Sequence, residues 1–482
     1  AQKNRGCIEH LLTLRLLIDS ARHKKRRLYI VFVDFSKAYD RVPRNTMLTM
    51  MRALGCGTIM MRAIAAAYKC TQMILRTAVI TSSIGVRQGS PTSCLLFTLL
   101  VNQLIRDLKE KCPPDGFLQW LHCLMLMDDA VILATTRESA LRKIHILKEF
   151  CSNSGMIINQ AKTKFMTING KEEDRQPLQS NNLVIEYCQK YTYLGAVITQ
   201  DGNIASSVKA QCEAKRAHVI KFEAYVRRNT DMPFPAKKKV FDAALVSAIL
   251  YSSETWLSPA ACNAASPMYA ACVRALLGVR KTTATDLCLI EIGIPSLTQY
   301  VRTAQKKTIA KLIERRRDLV DDPFIFALGV ARESRCPAAR YIETLETYNP
   351  DDDATSLRRR VRESTRTKFT TYVQRTNPSM TVHDMYALSD IPEHHRLTTT
   401  RVRLSSHNLA IERGRWSRLP REERLCDCGE IQDENHVSEH CPNTSAIRLN
   451  HPGIDFSLPA LYDNVPPRVM LPVIHELFSN FV

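Results

Sequence analysis

The chain has little of what marks fibrous, secreted or membrane proteins. Its 482 residues include only 16 glycines and 22 prolines, which excludes a collagen-like or linker-dominated architecture. No apolar run reaches the roughly 18 residues that a membrane span needs. The first residues are polar and lack the pattern of a signal peptide. We therefore expect an intracellular protein of the nucleus and cytoplasm, without a membrane partner.

Cysteines are too sparse for a disulfide scaffold. The chain has 16 of them: thirteen stand singly between Cys7 and Cys336, and three cluster towards the C-terminal end. Scattered cysteines are typical of a reducing compartment, where they behave as small buried hydrophobic residues.

Acidic residues are also in deficit, with 48 Asp and Glu against 67 Lys and Arg, a net charge of +19. Two segments carry most of the excess. Residues 204–240 hold nine Lys and Arg against three Asp and Glu, and residues 356–424 hold fifteen against seven. Such a balance indicates a polyanionic partner, nucleic acid before an anionic membrane surface. The composition, 45% hydrophobic and 24% charged, is that of a globular protein, and the length indicates two to four domains.

Adjacent carboxylates interrupt one of the most apolar parts of the chain. Asp128 and Asp129 lie between two apolar runs that predict strands, and Asp34 ends a third predicted strand, Leu28–Val33. Two like charges are costly in such a place unless a cation binds them, and a two-metal site needs oxygens from more than one segment. The alternative is that the Asp pair merely suits a hairpin turn and that Asp34 caps the following turn.

A second cluster has the spacing of a zinc site. Cys426, Cys428, His436 and Cys441 offer three thiolates and an imidazole, the donor set of a closed tetrahedral Zn²⁺ site. His440 is an adjacent competitor, and free thiols with a surface histidine are the alternative. The stretch before the cluster, RGRWSR at residues 413–418, places Trp416 among arginines. That ring suits either stacking on bases or the core of a small module.

Five ordered segments resemble the motifs of reverse transcriptases in their non-LTR, LINE-type retrotransposon form. They are VDFSKAYD at residues 33–40, GVRQGSPTS at 85–93, LMDD at 126–129, GMIINQAKTK at 155–164 and YTYLG at 191–195. The Cys-Cys-His-Cys cluster is similar to the knuckle found after the thumb in such proteins. The predicted strand that leads into the first motif starts only about 28 residues into the chain, so we expect a C-terminal fragment that begins inside the polymerase domain and lacks upstream fingers.

The resemblance implies a role for each matching residue. Asp34, Asp128 and Asp129 would hold two Mg²⁺, and Lys162 would donate a proton to the leaving pyrophosphate. Tyr39 would exclude a ribose 2′-hydroxyl, so that the product is DNA; the alternatives are that Tyr39 is core and Lys162 merely surface. The other implied site residues are Arg87, Gln88 and Gly89 at the nucleotide and template, and Tyr193, Leu194 and Gly195 in the primer grip. One departure is Leu126, which stands where the family usually has an aromatic residue.

The implied fold is an α/β (α+β) right-hand polymerase: a ferredoxin-like palm, a helical thumb and a small C-terminal zinc-knuckle module. We expect the palm with incomplete fingers at residues 1–200, the thumb at 201–320, a basic, mostly helical region at 321–425 and the knuckle with its tail at 426–482. Residues 321–323 and 349–353 are expected to be linkers.

The resemblance implies an RNA-directed DNA polymerase of a mobile element. Its partners would be an RNA template, a DNA primer or target and deoxynucleoside triphosphates, and its metals Mg²⁺ and one structural Zn²⁺. The alternative is an inactive remnant that still binds nucleic acid. A viral-type RNA polymerase or a host enzyme such as telomerase fits the motifs less well.

Overall fold

The computed structural model describes residues 6–69, 71–76, 78–87, 89–316, 318–319 and 321–481. The chain divides into two compact units, each assembled from three stretches. The first unit comprises residues 1–208, 254–261 and 305–346, and the second comprises 209–253, 262–304 and 347–482. The four consecutive regions expected from the sequence follow the chain in order, whereas these units interleave along it.

Ten strands and twenty α-helices are assigned in the described part of the chain. The strands are β1 (Leu28–Val33), β2 (Thr71–Leu75), β3 (Ala78–Ser82), β4 (Cys123–Leu126), β5 (Asp129–Ala134), β6 (Lys164–Ile168), β7 (Leu178–Ser180), β8 (Leu183–Tyr187), β9 (Lys190–Tyr193) and β10 (Ala196–Thr199). The first ten helices are α1 (Cys7–His23), α2 (Arg44–Ala53), α3 (Thr58–Lys69), α4 (Pro91–Lys111), α5 (Arg137–Ser154), α6 (Ile204–Arg228), α7 (Phe234–Val240), α8 (Ser247–Ile249), α9 (Pro259–Leu277) and α10 (Thr285–Ile292). The remainder are α11 (Leu297–Arg316), α12 (Pro323–Ser334), α13 (Pro337–Glu346), α14 (Pro350–Arg362), α15 (Thr367–Thr371), α16 (Glu393–Arg403), α17 (Ala410–Trp416), α18 (Ser445–Asn450), α19 (Leu458–Asn464) and α20 (Pro467–Phe478).

A six-stranded sheet in the order β4-β5-β1-β6-β8-β7 organises the first unit. The strand β1 lies between β5 and β6 and is antiparallel to both. The chain order β1, helices, β4, β5, α5, β6 is that of a ferredoxin-like β-α-β-β-α-β motif, as expected for a palm. Alternate residues of β1 enter different cores: Ile30 and Phe32 face one, Tyr29 and Val31 the other. Because both faces are covered, β1 is apolar throughout.

The two predicted linkers are helix starts instead. Asp322 accepts hydrogen bonds from the backbone N–H groups of Phe324 and Ile325, and Pro323 is the first residue of α12. Asn349 caps α14 in the same way, with Pro350 in the first position. An Asx residue followed by proline is a helix N-terminal pattern, which explains the error.

Two further elements differ from expectation. Residues 73–80 are β-rich in sequence and so predict a single strand, but they belong to a hairpin of β2 and β3, in which Arg76 adopts a positive φ of 53°. The sequence of residues 236–251 predicts one continuous helix, but the structure has a π-helical stretch, Phe241–Val246, between α7 and α8. None of the helices in the described part of the chain combines the length and apolar character required of a membrane span.

Candidate polymerase site and Cys/His cluster

The sheet register brings the three predicted carboxylates together. Val33 pairs with Ala130, so Asp34, the next residue, continues beside Asp129 at the start of β5. The strands β4 and β5 form a hairpin in which Leu126 pairs with Asp129 and Asp128 lies in the intervening turn. All three carboxylates therefore lie at one edge of the sheet, although they come from two distant parts of the sequence.

Electrostatic effects show that these groups influence one another. Desolvation raises the pKa of Asp129, and the negative charges of Asp128 and Asp34 raise it further. Desolvation likewise raises the pKa of Tyr191 to about 12, with contributions from Asp34 and Asp129. A carboxylate whose ionisation is opposed by two neighbouring carboxylates marks a favourable place for a cation.

The hairpin turn between Leu126 and Asp129 is strained. Met127 has a φ of 55°, a left-handed conformation that a non-glycine residue adopts at a cost. Leu126, which precedes it, is half-buried and lines a cavity of about 390 Å³ within the first unit. The aliphatic side chain therefore packs at this position but offers no polar atom to the site.

The backbone of Asp34 is fixed by the fourth motif. Its carbonyl accepts a hydrogen bond from the Asn159 N–H at 2.8 Å, and its own N–H donates to Thr163 Oγ1 at 3.2 Å. Lys162 lies between these two residues and its side chain is exposed. The structure thus places Lys162 on the turn that holds Asp34.

The second motif is attached to the chain that follows Asp34. The N–H of Val86 donates to the Tyr39 carbonyl, and that of Gly85 donates to the Val42 carbonyl, both at 2.8 Å. Gly85 has a φ of 84°, and a Cβ there would lie 2.7 Å from the Asp40 carbonyl oxygen. Only glycine therefore permits this close approach of the two motifs.

Tyr39 is held by both its ring and its hydroxyl group. The ring stacks on Phe97 with centroids 4.8 Å apart, and the hydroxyl donates to Cys94 Sγ at 3.7 Å. Desolvation, followed by Cys94 and the charge of Asp128, raises the pKa of Tyr39 to about 12. The ring is thus a fixed wall within electrostatic range of the carboxylates.

The predicted nucleotide-binding residues are only partly positioned. Arg87 Nη2 donates to the Ala67 carbonyl at 2.6 Å, and its guanidinium lies 5.7 Å from the Tyr68 ring centroid. Gly89 has a φ of 81°, and a Cβ added there would meet no described atom within 4 Å. Gln88 lies outside the described residues.

Sequence reasoning missed Arg44, which holds this region together. Its guanidinium donates to the carbonyls of Gly85, Tyr68, Ser82 and Ile84, at distances between 2.6 and 3.0 Å. It thereby connects α2 to the end of α3 and to the segment before the second motif. Its position in the predicted turn after the first motif is the one signal that the sequence offers, and an arginine in a surface turn does not by itself indicate a structural role.

The predicted primer grip is the hairpin of β9 and β10. Leu194 and Gly195 form its turn, with φ values of 46° and 79°. Tyr191 stacks on Phe32 with ring centroids 4.2 Å apart, and the Phe32 ring centroid also lies 5.8 Å from that of Tyr193. Tyr193 is only 2% exposed, so it anchors the hairpin while its turn residues lie at the tip.

The four predicted zinc ligands form one cluster in the second unit. One ligand atom from each of Cys426, Cys428, His436 and Cys441 lies within 4.8 Å of the others. Cys426 Sγ is 3.8 Å from Cys441 Sγ, and Cys428 Sγ is 3.2 Å from His436 Nε2. The competitor His440 is exposed and contacts Glu439 instead. Three sulfurs and one imidazole nitrogen at this separation are compatible with zinc.

The cluster is joined to the basic stretch before it by Gln432. Its side-chain amide donates to Cys426 Sγ at 3.5 Å and accepts from the Ala410 N–H, at the start of α17, at 2.8 Å. At the other end of α17, Trp416 is 51% exposed and the Arg280 guanidinium lies 4.4 Å from its ring centroid. Trp416 is therefore a surface residue and not the core of a module.

Not all of the excess positive charge faces solvent. Four arginines of α14 are exposed: Arg358, Arg359, Arg360 and Arg362. Arg396 and Arg403, by contrast, are buried and pair with Glu393 and Glu291. Lys237 is also buried and pairs with Glu393 at 3.0 Å. Part of the charge predicted to bind polyanions is thus used inside the second unit.

Comparison with known proteins gives a family for the first unit. The family described as reverse transcriptase (RNA-dependent DNA polymerase) matches residues 2–198. The Pol polyprotein of the type-1 retrotransposable element R2 of Nasonia vitripennis is 28% identical over 229 residues, 44% of this chain and 22% of that protein. The corresponding protein of Bradysia coprophila is 25% identical over 41% of this chain and 24% of its own length. For the type-2 element R2DM of Drosophila melanogaster the identity is 22%, over 41% of this chain and 20% of that protein.

The matches thus span about a quarter or less of the length of these curated relatives. Among solved structures, a telomerase from Candida albicans with a fragment of telomeric RNA is similar to this chain at 11% sequence identity. The superposition covers 71% of this chain and 58% of the telomerase chain. Its TM-score of 0.30 is too low to support an argument. The family match and the R2 relatives agree with the five ordered motifs and with the sheet that carries them. Residues 2–198 therefore form a reverse transcriptase domain of the non-LTR, LINE-type retrotransposon class.

Proposed function

We propose that the chain is an RNA-directed DNA polymerase of a mobile element, which extends a DNA 3′-OH along an RNA template. The observation that carries this proposal is the convergence of Asp34, Asp128 and Asp129 at one sheet edge within a reverse transcriptase domain. The names of the R2 relatives support the mobile-element context.

Asp34, Asp128 and Asp129 would hold two Mg²⁺. The donor set fits, because hard divalent cations prefer carboxylate oxygens, and the charges of Asp128 and Asp34 together with desolvation raise the pKa of Asp129. Bound Mg²⁺ would stabilise charge on the reacting oxygens of nucleotidyl transfer. The hydrogen bonds from Asn159 and to Thr163 keep Asp34 in place before any ion arrives.

The neighbouring residues supply positioning and proton transfer. Lys162, exposed on the turn that holds Asp34, would donate a proton to the leaving pyrophosphate. Tyr39 would reject a ribose 2′-hydroxyl by size, and its contacts with Phe97 and Cys94 support such a rigid role. Three residues of the second motif would line the nucleotide and template: Arg87, Gln88 and Gly89.

The hairpin of β9 and β10 would contact the primer. Since Tyr193 is buried, the contact would be made by the turn of Leu194 and Gly195, with Tyr193 acting as its anchor. The stacking of Tyr191 on Phe32 supports this, because it ties the hairpin to the strand that ends at Asp34.

The second unit would bind nucleic acid outside the polymerase site. Its helices at residues 209–253 and 262–304, within the thumb expected at 201–320, would act as a thumb, and its exposed arginines and Trp416 would contact the template or target. Cys426, Cys428, His436 and Cys441 would hold one structural Zn²⁺ in a closed site, with no position for a reactive water. Since target DNA is chromosomal for a mobile element, we place the activity in the nucleus after synthesis in the cytoplasm.

Primer extension with the full chain tests the polymerase assignment. We expect Mg²⁺-dependent incorporation of deoxynucleotides on an RNA template. Asp128→Asn should reduce the rate about 10³-fold, because metal stabilisation of a transition state is worth several kcal/mol. RNA binding should change little, and Asp107→Asn, in α4, is the matched control. Normal extension by Asp128→Asn would refute the site.

The same assay separates the enzyme from an inactive remnant. A remnant would bind RNA with a steep salt dependence, because each phosphate contact releases a counterion. It would not extend the primer. Wild-type protein that binds RNA but incorporates no nucleotide would therefore overturn the polymerase proposal and favour the remnant.

A further inference from the structure

Three histidines of the second unit form a cluster separate from the Cys/His knuckle. His394 and His395 belong to α16 and His475 to α20, and one ring nitrogen of each lies within 4.8 Å of the others. The ring centroids are 4.4 to 4.9 Å apart. From this geometry we propose a second metal site, a three-histidine centre for a divalent transition-metal ion such as Zn²⁺.

The hydrogen bonds of Thr398 fix which nitrogen of His475 is available. The Thr398 hydroxyl has one proton, which it donates to the His394 carbonyl at 3.0 Å. Its contact with His475 Nδ1 at 2.9 Å must then be one in which the ring N–H donates and the hydroxyl accepts. In the neutral ring with its proton on Nδ1, His475 Nε2 carries a lone pair. A metal-binding histidine is usually oriented in this way, through its other ring nitrogen.

The packing around the rings favours a ligand over simple stacking. His395 Nδ1 is buried and has no hydrogen-bond partner among the residues that the structure describes. A buried polar atom without a partner costs about 1–3 kcal/mol, which a ring bound to an ion would recover. His394 is exposed, so an ion could enter from solvent.

The surrounding charge is also suitable for a cation. Glu476 follows His475 and carries a negative charge at the edge of the cluster, where it contacts His451 at 3.7 Å. Imidazole nitrogens suit Zn²⁺, Ni²⁺ and Cu²⁺, and three protein ligands leave a fourth position open. In contrast to the Cys/His cluster, this site would therefore accept an exchangeable water or a ligand from a partner.

Metal titration of the full chain tests the proposal. With excess Mg²⁺ present to occupy the carboxylates of the first unit, we expect about one equivalent of Zn²⁺ or Co²⁺ to bind in addition to that of the knuckle. His394→Gln and His475→Asn should each abolish this equivalent. In the second variant the asparagine amide replaces the Nδ1–H donor to Thr398, so the packing of α16 on α20 should survive. His218→Gln, an exposed histidine of α6, is the matched control.

Two further measurements separate this site from the knuckle and from packing. Co²⁺ at the knuckle gives thiolate charge-transfer absorption, which the histidine variants should leave unchanged while other Co²⁺ absorption is lost. Thr398→Val should weaken the extra site about 10- to 100-fold by releasing His475. Binding of only the knuckle's ion by the wild type would overturn the proposal, as would an extra ion that both histidine variants retain.

Discussion

The carboxylate edge of the first unit and the Cys/His cluster of the second are assembled in opposite ways. Asp34 and Asp128 are distant in sequence, and the central sheet brings them together. Hydrogen bonds to the backbone N–H and carbonyl groups of Asp34 then hold it in place. The four residues of the Cys/His cluster lie within one short segment of sixteen residues, in which a bridge between Leu425 and Ile431 shapes the loop. From this comparison we expect the first site to be formed by the fold alone, whereas the second would depend on the proposed Zn²⁺ for its stability.

The largest expected effect is that of chelation on the knuckle. Structural Zn²⁺ contributes about 10–16 kcal/mol in zinc-finger peptides, so its removal should unfold the segment of residues 424–441. Hydrogen exchange should show protection lost there and retained in β1 and β5. Cys428→Ser should act in the same way, with Cys212→Ser as control. Equal loss of protection in β1 would contradict the expectation that only the Cys/His cluster depends on its ion.

Next in size is the removal of a buried charge that supports the sheet. Asp115 is buried and accepts hydrogen bonds from Lys143, Ser139 and Thr135, which join the end of β5 to α5. Asp115→Asn leaves Lys143 as a buried, unpaired charge, so we expect a loss of about 3–5 kcal/mol in the free energy of unfolding. Denaturant unfolding at neutral pH measures it, with Asp107→Asn, at a half-buried aspartate of α4, as the control.

The pH dependence of this effect has a definite direction. Burial alone would raise the pKa of Asp115, but hydrogen bonds from Lys143, Ser139 and Thr135 outweigh it and lower that pKa. A lowered pKa in the folded state stabilises the protein above the ordinary Asp pKa of about 4. That stabilisation is lost as the pH falls below this value. The difference between wild type and Asp115→Asn should therefore shrink in acid; a constant difference would contradict the pairing.

A smaller effect is expected where two motif backbones meet. Gly85→Ala adds a Cβ 2.7 Å from the Asp40 carbonyl oxygen at a positive φ, and should destabilise the protein by about 1–3 kcal/mol. Gly89→Ala has a similar φ but open space, so only backbone strain of about 1 kcal/mol applies. Thermal unfolding of the two variants measures the difference. Equal losses would show that the close approach of the motifs contributes nothing.

The smallest effect is expected at the surface of the second unit. Trp416→Ala should weaken binding of single-stranded RNA by about 1 kcal/mol, the lower end for base stacking, because Arg280 already covers part of the ring. Leu419→Ala, a neighbouring exposed apolar residue, is the control. Affinity measured at fixed salt checks this. An unchanged affinity would assign Trp416 no part in binding.

The sequence predicts the central sheet well, because its signals are local and strong. Leu28–Val33 is a continuous apolar run, and the Asp pair between apolar strands marks the hairpin of β4 and β5. The hairpin of β2 and β3 was missed because its turn at Arg76 contains none of the usual turn residues. Local patterns could not show that residues 305–346 pack with the first unit, since only tertiary contacts decide this.

The candidate sites show the same limit. Motif residues are recognisable in the sequence, but the role of Arg44 depends on four carbonyls that only the fold brings together. The burial of Arg396 and Arg403 depends in the same way on partners elsewhere in the chain, so charge counting overestimated the surface available to nucleic acid. The cluster of His394, His395 and His475 joins two helices that no sequence spacing connects.

The hydrogen bonds that clamp Asp34 have a consequence for the order of synthesis. The residues that hold its backbone, Asn159 and Thr163, are translated long after it, and β6, which pairs with β1, follows them. A nascent chain that has reached the end of α5 therefore possesses all three carboxylates but not the loop that fixes the first of them. Because contacts distant in sequence form late, the polymerase site would be completed only once β6 has left the ribosome. A truncated translation product ending before that strand would carry the acidic motifs without a formed site.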